Sequence, residues 1–207
     1  MPKIIDISPL LSPRTAVWTG DTPFSQEFLC RFDTGANLDL STITTTVHIG
    51  AHTDAPSHYR AGARTMEHRE LHYYYGPCQV MTVATEAGQR IYPKDLCADI
   101  VAPRLLLRSN SFPDPEQFRT DFCSLSPELV REHFEQGGLL IGIDTPSVDP
   151  YSSKALEAHN AIADCDMAIL EGIVLDDVAD GVYTLIALPL KIEGADASPV
   201  RAVLIVD

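Results

Sequence analysis

The sequence predicts an α/β fold: a single domain with a mixed β-sheet core and flanking helices. Three observations predict it. Short β-type runs outnumber helical ones along the 207 residues. The helical runs fall between strands instead of forming a block of their own. No repeat, low-complexity stretch or linker divides the chain, so 1–207 reads as one domain, long enough to bury a core without disulfide support.

Taken in order, Lys3 to Ile7 is the first strand. The next enters near Leu40, because Ser41-Thr-Ile-Thr-Thr-Thr-Val47 is rich in β-branched residues that suit a pleated strand. It runs from Thr42 through Ile49 and opens into a loop near Asp54. A helix is excluded there by Gly50 and Pro56, which would fall in its interior. Cys78 to Thr85, Arg104 to Arg108, Leu139 to Ile143, Tyr183 to Leu188 and Val200 to Val206 are further strands. Ser109 to Phe122, with Pro113, Asp114 and Pro115, reads as a long surface loop. The clearest helix has Ser126 as N-cap and Pro127 at its first position, and stops at Gly137-Gly138. A second lies between Ser152 and Asp166, and Pro93 to Ile100 forms a short third.

The 15 basic and 29 acidic residues give a formal charge of -14. Such a chain repels phosphate backbones and anionic surfaces, so neither nucleic acid nor membrane is expected as a partner. Apolar runs stay well short of the roughly 20 residues of a membrane span. Five cysteines, an odd number without a CxxC pair, follow a start that reads as a strand and not as a secretory leader. The expectation is free thiols in a reducing, cytoplasmic compartment, with Cys165 a buried structural thiol.

Chemistry concentrates in His48-Ile-Gly-Ala-His52-Thr-Asp54-Ala-Pro-Ser-His58. The separations are all even, and residues two apart on a strand share a face. Neutral imidazoles and a carboxylate are the ligands that zinc and similar ions accept. A lone histidine is usually structural; three with an aspartate in phase point to a metal. His48, His52 and Asp54 would be ligands, and His58, past the Pro56 turn, would stand beside the metal as general acid and base. A second constellation follows the apolar strand Leu139 to Ile143: Asp144-Thr-Pro-Ser, then His159, Asp164, Asp166 and Glu171. Glu171 sits among apolar residues, where a carboxylate needs either an arginine or a metal. Trp18, the only tryptophan, is a candidate wall for a flat ligand or a core anchor. Tyr73-Tyr-Tyr75 reads as packing.

The histidine run resembles the signature of the metal-dependent cyclase family, and the likeness extends along the chain from Asp6 to Val206. Trp18-Thr-Gly-Asp-Thr-Pro-Phe24, Leu140-Ile-Gly-Ile-Asp-Thr-Pro-Ser147, Ile169-Leu-Glu-Gly-Ile-Val174, Ala187-Leu-Pro-Leu190 and Ser198-Pro-Val-Arg-Ala-Val203 are similar to its kynurenine formamidase subgroup. Ala51 departs from the threonine common in the wider family. The resemblance implies a swivelling β/β/α fold, a homodimer, and hydrolysis of N-formyl-L-kynurenine to L-kynurenine and formate in tryptophan degradation. It also implies two zinc ions. His48, His52 and Asp54 would hold one, and Asp54 would bridge to a second held by His159 and Glu171. His58 would carry the proton and Trp18 would contact the substrate. Asp164 and Asp166 match no functional position and read as solvated or capping residues. Arg201 and Ser147 are candidates for the polar end of a ligand or for structural roles. Two alternatives stand beside it: an amide hydrolase of the isatin hydrolase kind, which would use the same ligands, and a non-catalytic metal-binding protein, which would have closed coordination and no turnover. The chain lacks the Gly-x-Ser-x-Gly elbow, so an acyl-enzyme route has no support.

Overall fold

The computed structural model of the chain describes residues 2–206. In chain order the elements are β1 (Lys3–Asp6), β2 (Ser25–Cys30), β3 (Leu40–Thr44), β4 (His52–Asp54), β5 (Tyr75–Thr82), β6 (Arg90–Ile91), β7 (Arg104–Arg108) and β8 (Ser124–Leu125). They continue with α1 (Pro127–Glu135), β9 (Leu140–Ile143), α2 (Glu157–Asp164), β10 (Ala168–Leu170), β11 (Gly181–Ile186), β12 (Ala197–Pro199) and β13 (Val203–Val206). Seven strands form the central sheet in the order β1-β13-β11-β5-β7-β9-β10. The β5-β7-β9-β10 half is parallel, and β11, β13 and β1 extend it antiparallel. The sheet is mixed, as the sequence predicts.

Strands β7 and β9 are apolar almost throughout because both faces of the sheet are covered. Leu105, Leu107, Ile141, Ile143 and Ile169 point to one face and pack under Leu129 and Val130 of α1 and Ala158 and Ile162 of α2. Alternate residues Leu106, Leu140 and Leu170 point to the other face, where Ile7, Tyr74, Ile173 and Ala202 cover them. Helix α1 starts and stops as its sequence dictates. The Ser126 hydroxyl accepts from the Leu129 N–H at 3.1 Å, and the chain leaves through Gly137 at φ +88°.

Several sequence expectations change. The strand expected over Thr42–Ile49 ends at Thr44, and β3 pairs only with β2, a strand not anticipated, in a hairpin apart from the central sheet. The chain then bends, with Gly50 at φ +57°, before β4 begins at His52. A left-handed residue cannot continue a strand, so the even spacing from His48 to His58 does not lie on one strand. Pro93 to Ile100 holds only a 3₁₀ turn at Pro93–Asp95, which ends where Leu96 turns extended. Strand β13 starts at Val203, later than expected, and β6, β8, β10 and β12 are too short to show a period. Cys165 is half-buried instead of buried, and all five thiols are free. Among the described residues no helix is long and apolar enough to cross a membrane.

Strand β4 is held between two parts of the chain. It pairs antiparallel with β12, and His52 and Glu171 exchange N–H···O bonds of 3.1 and 2.9 Å just beyond β10. That close approach requires Gly172, which has φ +64°; a Cβ there would lie 2.2 Å from the Gly50 carbonyl oxygen. Left-handed strain and overpacking together predict that Gly172→Ala lowers stability by about 2–4 kcal/mol. Urea unfolding measures this, and an unchanged midpoint would show that the Gly50 segment yields freely.

Candidate metal centre

Strand β4 projects His52 and Asp54 to one side, as residues two apart must. The reciprocal bonds with His52 bring Glu171 alongside. His48 reaches in from the bend before β4, and His159 from the first turn of α2. His58 closes the 3₁₀ turn Pro56–His58, which the fixed φ of Pro56 suits. His52, Asp54 and Glu171 are 2 % exposed and His159 is 3 %. Six side chains of the two sequence constellations, His48, His52, Asp54, His58, His159 and Glu171, therefore converge, although they come from distant stretches.

Asp54 presents Oδ1 to His48 Nδ1 at 3.0 Å and to His52 Nε2 at 3.7 Å. Its Oδ2 faces His159 Nε2 at 3.4 Å and His58 Nε2 at 4.0 Å. Glu171 spans the same two sides, with Oε2 3.1 Å from His52 Nε2 and Oε1 3.8 Å from His159 Nε2. Two groups of donors close enough to hold an ion share Asp54: His48, Asp54 and His58, and His52, Asp54 and Glu171.

Each buried imidazole has its outer nitrogen occupied. His52 Nδ1 donates to the Gly50 carbonyl at 2.9 Å, His159 Nδ1 to Asp149 at 2.8 Å, and His48 Nε2 to Asp196 at 3.1 Å. The inner nitrogens therefore turn lone pairs toward carboxylate oxygens, an arrangement that repels itself unless cations lie between. Protons answer that demand in the free protein. Burial opposes charge on His48, but Asp54 and Asp196 outweigh it and raise its pKa to about 9. Burial likewise opposes charge on His159, where Asp149 and Asp54 raise the pKa to about 10. Burial would raise the Asp54 pKa, yet His159 and His48 hold it well below the usual carboxylate range. A divalent ion fits the same donors: Asp54 Oδ1 is buried and closes no well-formed hydrogen bond, although His48 Nδ1 lies 3.0 Å away.

Beside the donors lies a cavity of about 320 Å³ whose wall includes Trp18, Phe112, Phe118, Leu156 and Ile173. Trp18 packs on Tyr151 at 4.8 Å and edge-on to Phe118 at 5.5 Å between ring centroids. It is thus both cavity wall and part of an aromatic cluster, the two roles its sequence left open. Among the described residues no lysine or arginine lines this cavity, while Asp21, Asp144 and Asp176 do. Arg201 does not line it; it pairs with Asp6. Ser147 lies in the wall with its hydroxyl accepting from the Asp149 N–H. Asp164 and Asp166 are not simply solvated or capping. Asp164 pairs with Arg60, and Asp166 pairs with Arg64 and Arg69 and accepts from the Tyr73 hydroxyl, tying 60–73 to the end of α2.

Sequence reasoning missed Asp149 and Asp196. Asp149 accepts from the Ala158 and His159 N–H groups at 3.0 Å, capping α2 from outside it, and pairs with Arg90. Asp149 lies outside α2 and ten residues before His159, so no single helix or strand carries both. Asp149→Ala should lower stability by about 1–2 kcal/mol through the lost cap. The same variant should weaken divalent-metal binding about 10–100-fold through the freed His159 ring. Competition with a chelator reads the second effect, and unchanged affinity would remove Asp149 from the centre.

Residues 5–150 match the model of the Cyclase family. A structure described as a potential metal-dependent hydrolase with cyclase activity is 24 % identical over 99 % of this chain and 98 % of its own, with a TM-score of 0.85. A predicted metal-dependent hydrolase from Bacillus stearothermophilus is 24 % identical over the same shares, with a TM-score of 0.83. Isatin hydrolase A from Labrenzia aggregata, bound to benzyl benzoate, is 21 % identical over 99 % of this chain and 94 % of its own, with a TM-score of 0.82. These three structures share the fold. The family match takes in β4 and the whole run from His48 to His58, and on that ground the chain belongs to the Cyclase family.

Proposed function

We propose that the chain is a metal-dependent hydrolase of aryl amides, an arylformamidase that converts N-formyl-L-kynurenine to L-kynurenine and formate in tryptophan degradation. One observation carries the reading: buried nitrogens and carboxylates face each other around Asp54 at the floor of an aromatic-walled cavity. In this reading His48, His52 and Asp54 hold one zinc ion, and Asp54, His159 and Glu171 hold a second. The split of the two Asp54 oxygens between His48 and His52 on one side and His159 on the other supports it. Held by these residues, a zinc ion would supply Lewis acidity, which lowers the pKa of water from 15.7 to about 7 and polarises a carbonyl. The same reading carries a homodimeric cytoplasmic enzyme with a small-molecule substrate and no nucleic-acid or membrane partner.

The chain's own residues supply the rest. Trp18 and Phe118 offer an apolar wall to the aryl ring. When the formyl C–N bond breaks, hydroxyl adds to the formyl carbon and the nitrogen leaves as a neutral amine only if a proton reaches it. His58 Nε2 stands on the cavity side of its ring, 4.0 Å from Asp54 Oδ2, with the side chain 35 % exposed. It takes the proton from the attacking water and returns it to nitrogen. A second reading, opening of a cyclic aryl amide such as isatin, gains support from the cavity lining, whose described residues include no lysine or arginine to pair with the carboxylate of an amino-acid substrate.

Zinc-loaded protein assayed with N-formyl-L-kynurenine and isatin side by side decides between them. Formate release that a chelator abolishes is expected; turnover of isatin alone would favour the second reading. His58→Ala should lower kcat about 10²–10⁴-fold while zinc stays bound. Loss of zinc in that variant would instead make His58 a ligand. Asp54→Ala should cost zinc itself, and a fully loaded, active variant would overturn its bridging role.

A further inference from the structure

Asp196 stands in neither donor group around Asp54, yet it touches two of the cluster's rings. Strand register puts it there. Ala197 of β12 lies opposite Asp54 of β4, and the Ala55 N–H donates to the Asp196 carbonyl at 2.8 Å. The preceding turn is pinned as well. Met66 N–H donates to the Ala195 carbonyl at 2.8 Å, and Gly194 N–H to the Glu67 carboxylate at 2.9 Å. The residue before β12 thus emerges over the rim of the centre with little freedom. Its Oδ2 accepts from His48 Nε2 at 3.1 Å and from His58 Nδ1 at 3.2 Å, and the two rings lie 4.2 Å apart between centroids. No other side-chain hydrogen bond holds the His58 ring among the described residues, and that ring is partly in solvent.

We infer that Asp196 is the positioning residue for proton transfer, one carboxylate oxygen fixing the tautomer and aim of His58 while tying it to His48. With Nδ1–H donated to Asp196, His58 keeps a lone pair on Nε2, the atom that faces the centre. Without Asp196 the ring is free to turn about its side-chain torsions. The inference rests on the reading of His58 as proton carrier, and it makes Asp196 an outer support and not a ligand.

Three measurements on zinc-loaded protein test it. In Asp196→Ala, kcat should fall about 10–100-fold, with KM within about twofold and zinc content unchanged. Asp196→Asn, whose amide oxygen still accepts from both rings, should recover to within about fivefold of the unsubstituted chain. Nitrogen-15 spectra of the histidine rings should show one His58 tautomer, protonated at Nδ1, in the unsubstituted protein and a mixture in Asp196→Ala. Zinc lost in step with kcat would make Asp196 a ligand and overturn the inference. So would an unchanged His58 tautomer, or an Asn variant no better than Ala. If the unsubstituted protein turns over neither the formamide nor isatin, the functional reading fails by itself, and the ring spectra still decide the role of Asp196.

Discussion

Two buried carboxylates, Asp54 and Glu171, set the terms for everything around them. Each is 2 % exposed, and a charge so removed from water is costly unless a cation answers it. The fold answers with imidazoles brought from a bend, a strand and a helix. It also fixes each buried ring by an acceptor on the far side: a carbonyl for His52, carboxylates for His48 and His159. The donors are therefore oriented before any ion arrives. Preorganisation of this kind spends folding stability on geometry that a core of leucines would not need.

The sheet makes the convergence possible. Parallel strands β7, β9 and β10 end together, and the chain leaving β10 meets β4 edge to edge through the His52–Glu171 pair. Gly172 allows that contact by carrying no side chain where the Gly50 carbonyl passes. Strand β12 closes the other edge of β4 and delivers Asp196. A three-residue strand with a partner on each side is thus the frame around which the clustered imidazoles and carboxylates are hung.

Much of this was legible in the chain. The apolar runs of β7 and β9 and the Ser126-Pro127 start of α1 are strong local signals, and the structure follows them. His48, His52, Asp54 and His58 stand out by residue type, but their even spacing accounts for only part of the convergence. Only His52 and Asp54 share a strand, while His48 and His58 arrive through a bend and a turn that even spacing does not reveal. Strand β2, and with it the hairpin to β3, escaped because its exposed run Ser25–Cys30 shows no alternation of apolar and polar residues. Asp149 and Asp196 escaped for a different reason. Each acts across a long sequence separation, through a helix cap or a strand register, and such pairings are set by tertiary packing and not by local pattern.

The acidic lining of the cavity bears on what happens after a bond is cut. Asp21, Asp144 and Asp176 line the cavity, and among the described residues no lysine or arginine lines it with them. An anion passing these walls meets like charge that no lysine or arginine among the described lining residues offsets. Because that repulsion is electrostatic and near solvent, added salt softens it within a Debye length of about 8–10 Å.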